Sequence, residues 1–461
     1  MKKYFRMKTG FLLMALMILL WTLSGCSILN EKQMVARTQS FSEASKTFTK
    51  QELIKDLQQL EKIIMTKNPL YFTDETELEQ RFQNAYDGIE DEMTELQFYR
   101  LINPVVTAVH CGHTNLSISE ELLAEREGAM FFPIKVTLIN DTLFALEDDV
   151  ESGLTAGDEI VSINGKSSEK IINQLISNIS GDGDSEVKSR YIISKHFNSK
   201  YYDFIDTSEH FQVVRMNPQG IQEKLELQAK PRDAFNTTAW DLHFTEYKEE
   251  RYYTSKVYDE YAVLTVNFFT NKNSKKFDVF LKEFFQELSK RNSTKLIIDV
   301  RGNYGGDSFM AKELLSYITE KQIVYLDSEM PFYYKLLGFH KPVTPQEKPF
   351  HGEVVVLTDG AGFSTTAHFC ALVKHHRLGT LIGTETGGGS VCTDASKDAV
   401  LKNTKLRVHY STQIFRVKTD GMTDKNEVKP DYLVQRTIED MLLGNDTIME
   451  AGLKEFKRRQ K

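Results

Sequence analysis

Ser364, in the run "LTDGAGFSTTAHFCALVKHH" (residues 357–376), stands where a β-like apolar run gives way to a helical pattern. Two chemistries are open to a serine at that junction. As a helix N-cap, its hydroxyl accepts one of the orphan N–H groups of the first turn. As a nucleophile, it uses the strand, tight turn and helix with which α/β enzymes display an attacking hydroxyl. The helix dipole and the free N–H groups at that point also favour a developing anion. A second loop complements the first. Gly305 and Gly306, in "LIIDVRGNYGGD", permit close backbone approach with no Cβ in the way. Their N–H groups, with that of Thr365, would form an oxyanion hole. Alone, "NYGG" reads equally as a sharp turn after a strand. A phosphate cradle is disfavoured because no "GxxxxGK[ST]" is present.

The elements that must hold these loops alternate. After about residue 252, "YAVLTVNFF", "TKLIIDV", "GEVVVLTDG" and "TLIGTET" read as strands, with helices "SKKFDVFLKEFFQELSKR", "SFMAKELLSYI" and the one after Ser364 between them. That alternation predicts βαβ crossovers and a mainly parallel sheet, with ligands beyond the carboxyl ends of its strands. Both candidate loops lie at such ends. Residues 46–125 predict helices, including "TKQELIKDLQQLEKIIMTKN" and "DETELEQRFQNAYDGIEDEM". From residue 130 to 232 strands dominate. "GLTAGDEIVSING" followed by a helix resembles a PDZ module, a small β-rich unit that can take up a peptide as an added strand.

The N-terminus reads as a targeting segment. "MKKYFRMK" is basic, "GFLLMALMILLWTL" is apolar, and "LSGC" ends at Cys26. The apolar run is short for a membrane span of about 20 residues. "LSGC" resembles a bacterial lipobox, which implies a signal peptide with lipobox over residues 1–26, cleaved before Cys26, and lipid on the Cys26 sulfur. Residues 27–45 then read as a polar tether. Cys111, Cys370 and Cys392 remain; a pair of them could bridge outside the cytoplasm, and their spacing does not suggest zinc. With 461 residues and 41% apolar content, the chain supports two or three cores. A net charge of -8 without a basic stripe argues against nucleic acid.

Three strings, "LIIDVRGNYGGD", "VVVLTDGAGFSTTAHFCALVKHHRLGTLIGTETGGG" and "DGMTDKNEVKPDYLV", resemble the tail-specific (C-terminal processing) peptidase family in its tricorn-like, interphotoreceptor-retinoid-binding-protein-like branch. "AVHCGHTNL" is similar to the "DGHT" element of that branch. The resemblance implies a crotonase-like (ClpP-like) α/β catalytic domain over 250–440, a PDZ-like module and a helical N-terminal region. Residues 441–461 remain as a C-terminal helix or tail. It also implies serine peptidase chemistry with no metal or cofactor, on a peptide or protein substrate. Ser364 falls at the nucleophile position. Gly389 stands where other members carry a Lys base, so the base implied is His113. The orienting acid maps to Asp424, with Glu427 close by, and Gly112 stands where some members have an auxiliary Ser. His110 could partner the base or lie on a helix surface, and His368 reads as packing or substrate wall. A Cys111 or Cys370 nucleophile matches no family position. The expected protein is thus a lipid-anchored extracytoplasmic serine peptidase. The alternative is an inactive peptide- or ligand-binding protein on the same scaffold.

Overall fold

Helix α1 (Lys50–Lys67) repeats Leu53, Leu57, Leu60 and Ile64 along one face, and that face is buried. Helices α2 (Glu75–Asp87) and α3 (Glu95–Thr107) follow. Thr49 with Glu52, and Thr94 with Gln97, form capping boxes, so α1 and α3 begin with orphan N–H groups satisfied. The computed structural model describes residues 46–231, 234, 252–272, 275–327, 332–421 and 427–458. Cys26 and Asp424 lie outside them.

After α3 the chain turns through His113 into a short strand, β1 (Asn115–Ser117). The β-rich module comprises β2 (Val136–Ile139), β3 (Thr142–Ala145), β4 (Glu159–Ile163), helices α4 (Ser168–Ile176) and α5 (Val187–Phe204), β5 (His210–Met216) and β6 (Gln222–Gln228). Its strands lie in the order β6-β5-β4-β3-β2, each pair antiparallel. This is the PDZ-like unit expected from "GLTAGDEIVSING". Its core, including Ile160, Phe197 and Phe211, is continuous with that of α1–α3.

The α/β part contains β7 (Tyr253–Val257), β8 (Ala262–Val266), α6 (Phe277–Lys290), β9 (Lys295–Asp299), α7 (Ser308–Ile318), β10 (Glu353–Thr358), α8 (Thr365–His375) and β11 (Thr380–Gly383). Beyond these come β12 (Val391–Asp394), β13 (Lys397–Val400), β14 (Arg407–Tyr410), β15 (Gln413–Arg416), β16 (Tyr432–Leu433) and α9 (Thr447–Arg458). The sheet order is β7-β8-β9-β10-β11-β16, parallel except for the β7 edge. Strands covered on both faces need apolar residues without alternation. Accordingly Leu296 and Ile298 of β9 pack with Phe284, Leu314 and Phe369, while Ile297 packs the other way with Ile448 and Phe456 of α9.

A strand pairing and a buried carboxylate help to seat the N-terminal helices on this domain. Strand β1 pairs antiparallel with β14, Leu116 opposite Val408. The buried Asp56 of α1 accepts from the Asn403 N–H (2.9 Å), Asn403 Nδ2 (2.9 Å), the Thr404 N–H (2.7 Å) and Thr404 Oγ1 (2.7 Å). A buried carboxylate so placed stabilises only while its donors stay paired. Asp56→Ala is therefore expected to lower the thermal unfolding midpoint, costing about 3 kcal/mol through the stranded donors. Calorimetry of wild type and variant checks this; equal midpoints would mean that water replaces the carboxylate without loss.

Candidate active site

Ser364 occupies the N-cap position of α8, yet its side chain makes no capping hydrogen bond. Its backbone is at φ 53° and ψ -126°. Side-chain-bearing residues rarely hold such a conformation unless their surroundings enforce it. Here the surroundings do. The Thr366 N–H bonds the Phe363 carbonyl (3.0 Å), the His368 N–H bonds the Ser364 carbonyl (3.0 Å), and the Gly388 N–H bonds the Gly362 carbonyl (3.1 Å). Of the two chemistries open to this serine, capping is thus not the one its side chain performs.

The glycine loop after β9 presses against this turn. Asp359, just after β10, accepts from the Gly302 N–H (3.0 Å), which ties the two loops together. Gly305 and Gly306 both have positive φ, 121° and 122°. A Cβ on Gly305 would lie 2.9 Å from Ser364 Cβ and 3.2 Å from the Thr365 nitrogen, so the missing side chain is what lets the two loops approach at Ser364. The three expected oxyanion donors differ. The Gly305 N–H already donates to Asn303 Oδ1 at 2.8 Å. The N–H groups of Gly306 and Thr365 have no acceptor among the described residues, while Thr365 Oγ1 donates to the Gly306 carbonyl (2.6 Å) and fixes one loop to the other.

His113 reaches this place from the turn before β1. Its ring lies 4.7 Å, centroid to centroid, from that of Phe363, the neighbour of Ser364. His113 Nε2 is 3.7 Å from Asp394 Oδ2, at the end of β12, and its Nδ1 is buried without a partner. A second carboxylate is close. Asp182 accepts the Gly112 N–H at 2.7 Å; burial pushes its carboxyl up, and the nearby His113 opposes that push. Lys188 Nζ donates to the Gly112 carbonyl (3.0 Å) and sits 4.0 Å from the Phe363 ring centroid. Burial pushes the Lys188 ammonium down.

His368 is buried on α8, and burial, with His113 nearby, pushes it down to about 3, so it stays neutral. His110 turns away and pairs its Nδ1 with the Gly183 carbonyl (2.9 Å). Cys111, Cys370 and Cys392 are free and buried, and burial pushes each thiol up, away from the thiolate that nucleophilic attack requires.

Residues 260–434, which hold both loops, match the model of peptidase family S41. The chain carries an S41 peptidase domain. The matched segment takes in β8 to β16, Ser364 and the glycine loop, but not His113, Asp182 or Lys188. No curated protein sequence matches the chain significantly. Among solved structures, mature CPAF complexed with lactacystin superimposes with a TM-score of 0.66 at 12% identity, covering 87% of this chain and 98% of that one. Mature CPAF alone gives 0.63 at 13% identity, covering 87% and 96%. A photosystem II D1 C-terminal processing protease gives 0.42 at 15% identity, covering 83% and 93%. At such identities the CPAF likeness is one of fold, and it extends over the helical and PDZ-like parts as well as the S41 domain.

Within this S41 domain Gly389 brings no amine to the site, and Asp424 lies outside the described residues. Glu427 is described, and no hydrogen bond or ion pair joins it to His113 among the described residues. Asp182 and Asp394 are the carboxylates found beside the imidazole; neither stands in a local pattern that marks it. Gly112 has no space for the serine that some relatives place there. A Cβ would meet Phe363 Cζ at 2.4 Å and Lys188 Nζ at 2.7 Å. Gly112→Ser is therefore expected to displace Phe363 and lower both the unfolding midpoint and any Ser364-dependent turnover, rather than add a helpful hydroxyl. Turnover equal to or above wild type in the purified variant would contradict this.

Proposed function

We propose that this protein is a serine peptidase, anchored by lipid outside the cytoplasm, that cleaves peptides or protein tails through an acyl-enzyme. The observation that carries the reading is the Ser364 turn. A serine held at φ 53°, freed from capping, stands beside two unengaged N–H groups, on a domain of a serine peptidase family.

In this mechanism Ser364 Oγ attacks the scissile carbonyl carbon, and its proton passes to His113. The carbonyl oxygen gains charge as the tetrahedral species forms. The Gly306 and Thr365 N–H groups bind that oxygen without reorganising, which is why such donors lower the barrier more than equivalent contacts in water. Collapse breaks the C–N bond, and the amine leaves with the proton from His113. Water then attacks the acyl-serine, with His113 again taking a proton. A carboxylate near the imidazole favours its charged form in both steps.

Ser364→Ala is expected to leave the fold intact and reduce kcat/KM on an unstructured peptide by at least about 10³-fold, with His113→Ala close behind. The double variant should lose little more, because members of one catalytic unit are not additive. A fluorophosphonate probe should label wild type at Ser364. Undiminished turnover in Ser364→Ala would remove the peptidase reading, and absence of both labelling and turnover in wild type would favour a binding protein on this scaffold.

The anchor rests on "LSGC". A thioether to lipid needs the Cys26 sulfur. Cys26→Ala is thus expected to shift the protein from the detergent-extractable membrane fraction to the soluble one, or to leave its leader uncleaved. A cleaved variant still held in the membrane would contradict lipidation at Cys26.

A further inference from the structure

Asp182 is 5% exposed, and its two carboxylate oxygens are used differently. Oδ1 accepts the Gly112 N–H at 2.7 Å, whereas Oδ2 is buried with no hydrogen-bond partner. Buried polar atoms are nearly always paired, so an orphan carboxylate oxygen calls for an explanation. The surroundings supply one. Lys188 Nζ donates to the Gly112 carbonyl at 3.0 Å, so the peptide groups on both sides of Gly112 are held, and the second of them leads directly into His113. The same ammonium lies over the Phe363 ring, and that ring meets the His113 ring. The path runs Asp182, Gly112, His113, Phe363, with Lys188 against both Gly112 and Phe363, and Phe363 is the residue before Ser364.

We infer that Asp182 is a positioning residue for His113. One oxygen fixes the loop that carries the imidazole; the other is a buried counter-charge for the imidazolium that forms when Ser364 gives up its proton. This rests on the reading of Ser364 and His113 as nucleophile and base. Asp182 exchanges no proton and touches no substrate. The groups that face His113 are Asp182 from the turn before α5, Asp394 from β12 and His368 from α8. His368 is kept neutral by burial. The Asp394 side chain is 42% exposed, so solvent and salt weaken its field, while that of the buried Asp182 acts across a poorly screened interior. Burial pushes the Asp182 carboxyl up, and His113 is the first of the groups that oppose this.

Asp182→Asn separates the two roles, since the amide oxygen can still accept the Gly112 N–H but the charge is gone. The measurement is kcat and KM against pH on one peptide, for wild type, Asp182→Asn, Asp182→Glu and Ser364→Ala. Asp182→Asn is expected to lower kcat roughly 10- to 100-fold with KM within about twofold. The acid limb of its kcat profile should move to lower pH, because a charge that favours the imidazolium has been removed. Asp182→Glu should restore part of both. A kcat within about twofold of wild type would overturn the inference; so would a lower kcat with an unmoved profile, which is what simple loop packing gives. If Asp182→Asn does not fold, the stranded Lys188 ammonium is the cause to expect, and the double variant Asp182→Asn/Lys188→Met removes both charges for the same measurement. An inactive Ser364→Ala beside a wild-type-like Asp182→Asn rejects Asp182 alone. A fully active Ser364→Ala rejects the mechanism itself.

Discussion

The pairing of Asn115–Ser117 with Arg407–His409 is the constraint on which the site depends. Ser364 and the glycine loop belong to the S41 sheet, but His113 comes from the far end of the chain, two residues before that strand begins. Three residues of ladder are a slender joint, since a strand that short holds little by itself. Its support comes from elsewhere. Asp56 gathers donors from Asn403 and Thr404 just ahead of the partner strand, and Leu116 and Val408 are buried in a core shared with α1 and α3. The helices therefore help to set His113, in the turn that follows them, against the Ser364 turn.

The same dependence explains why the site holds so many buried polar groups. Cys111 Sγ is 2.7 Å from Thr393 Oγ1 and 3.1 Å from Ser411 Oγ, and Thr114 Oγ1 donates to it at 3.3 Å. These contacts knit the His113 turn to β12 and to the segment after β14, from the side opposite Lys188 and Asp182 in the chain order. Polar links of this kind are directional, and a misplaced element leaves their donors unpaired, so they penalise alternative packings more strongly than apolar contacts do.

Much of the α/β part was legible from local pattern. "KLIID", "EVVVLT" and "SFMAKELLSYI" fall on β9, β10 and α7 as read, because a doubly covered parallel sheet writes continuous apolar runs and its helices write a 3.6-residue period. Helix α5 was not legible. It buries Lys188 and His196, carries a kink at His196 where φ is -131°, and so shows no clean apolar face. The segment over β12–β15 received no strand assignment, because charged and polar residues interrupt its apolar positions, and it is pairing with β1 that makes it structural. From local pattern Ser364 was legible only as a choice between two roles, because the torsion that accompanies its release from capping is not written in residue type; the family resemblance is what put it at the nucleophile position. Asp182, in "GDGD", looks like an ordinary acidic turn; only the return of α5 over the His113 loop gives it a place. The acid mapped to Asp424 lies outside the described residues.

The torsion at Ser364 also sets evolution's two demands against each other. In the left-handed region a glycine is relieved of strain worth about 1 kcal/mol or more, so the most stable residue at this position is one with no side chain at all. A chain retained only as a binding scaffold would gain by that exchange, and would lose nothing at the surface by it. On the proposed chemistry the hydroxyl is what offsets that strain, and this turn is then among the parts of the molecule where a search for greater thermal resistance would first erode activity.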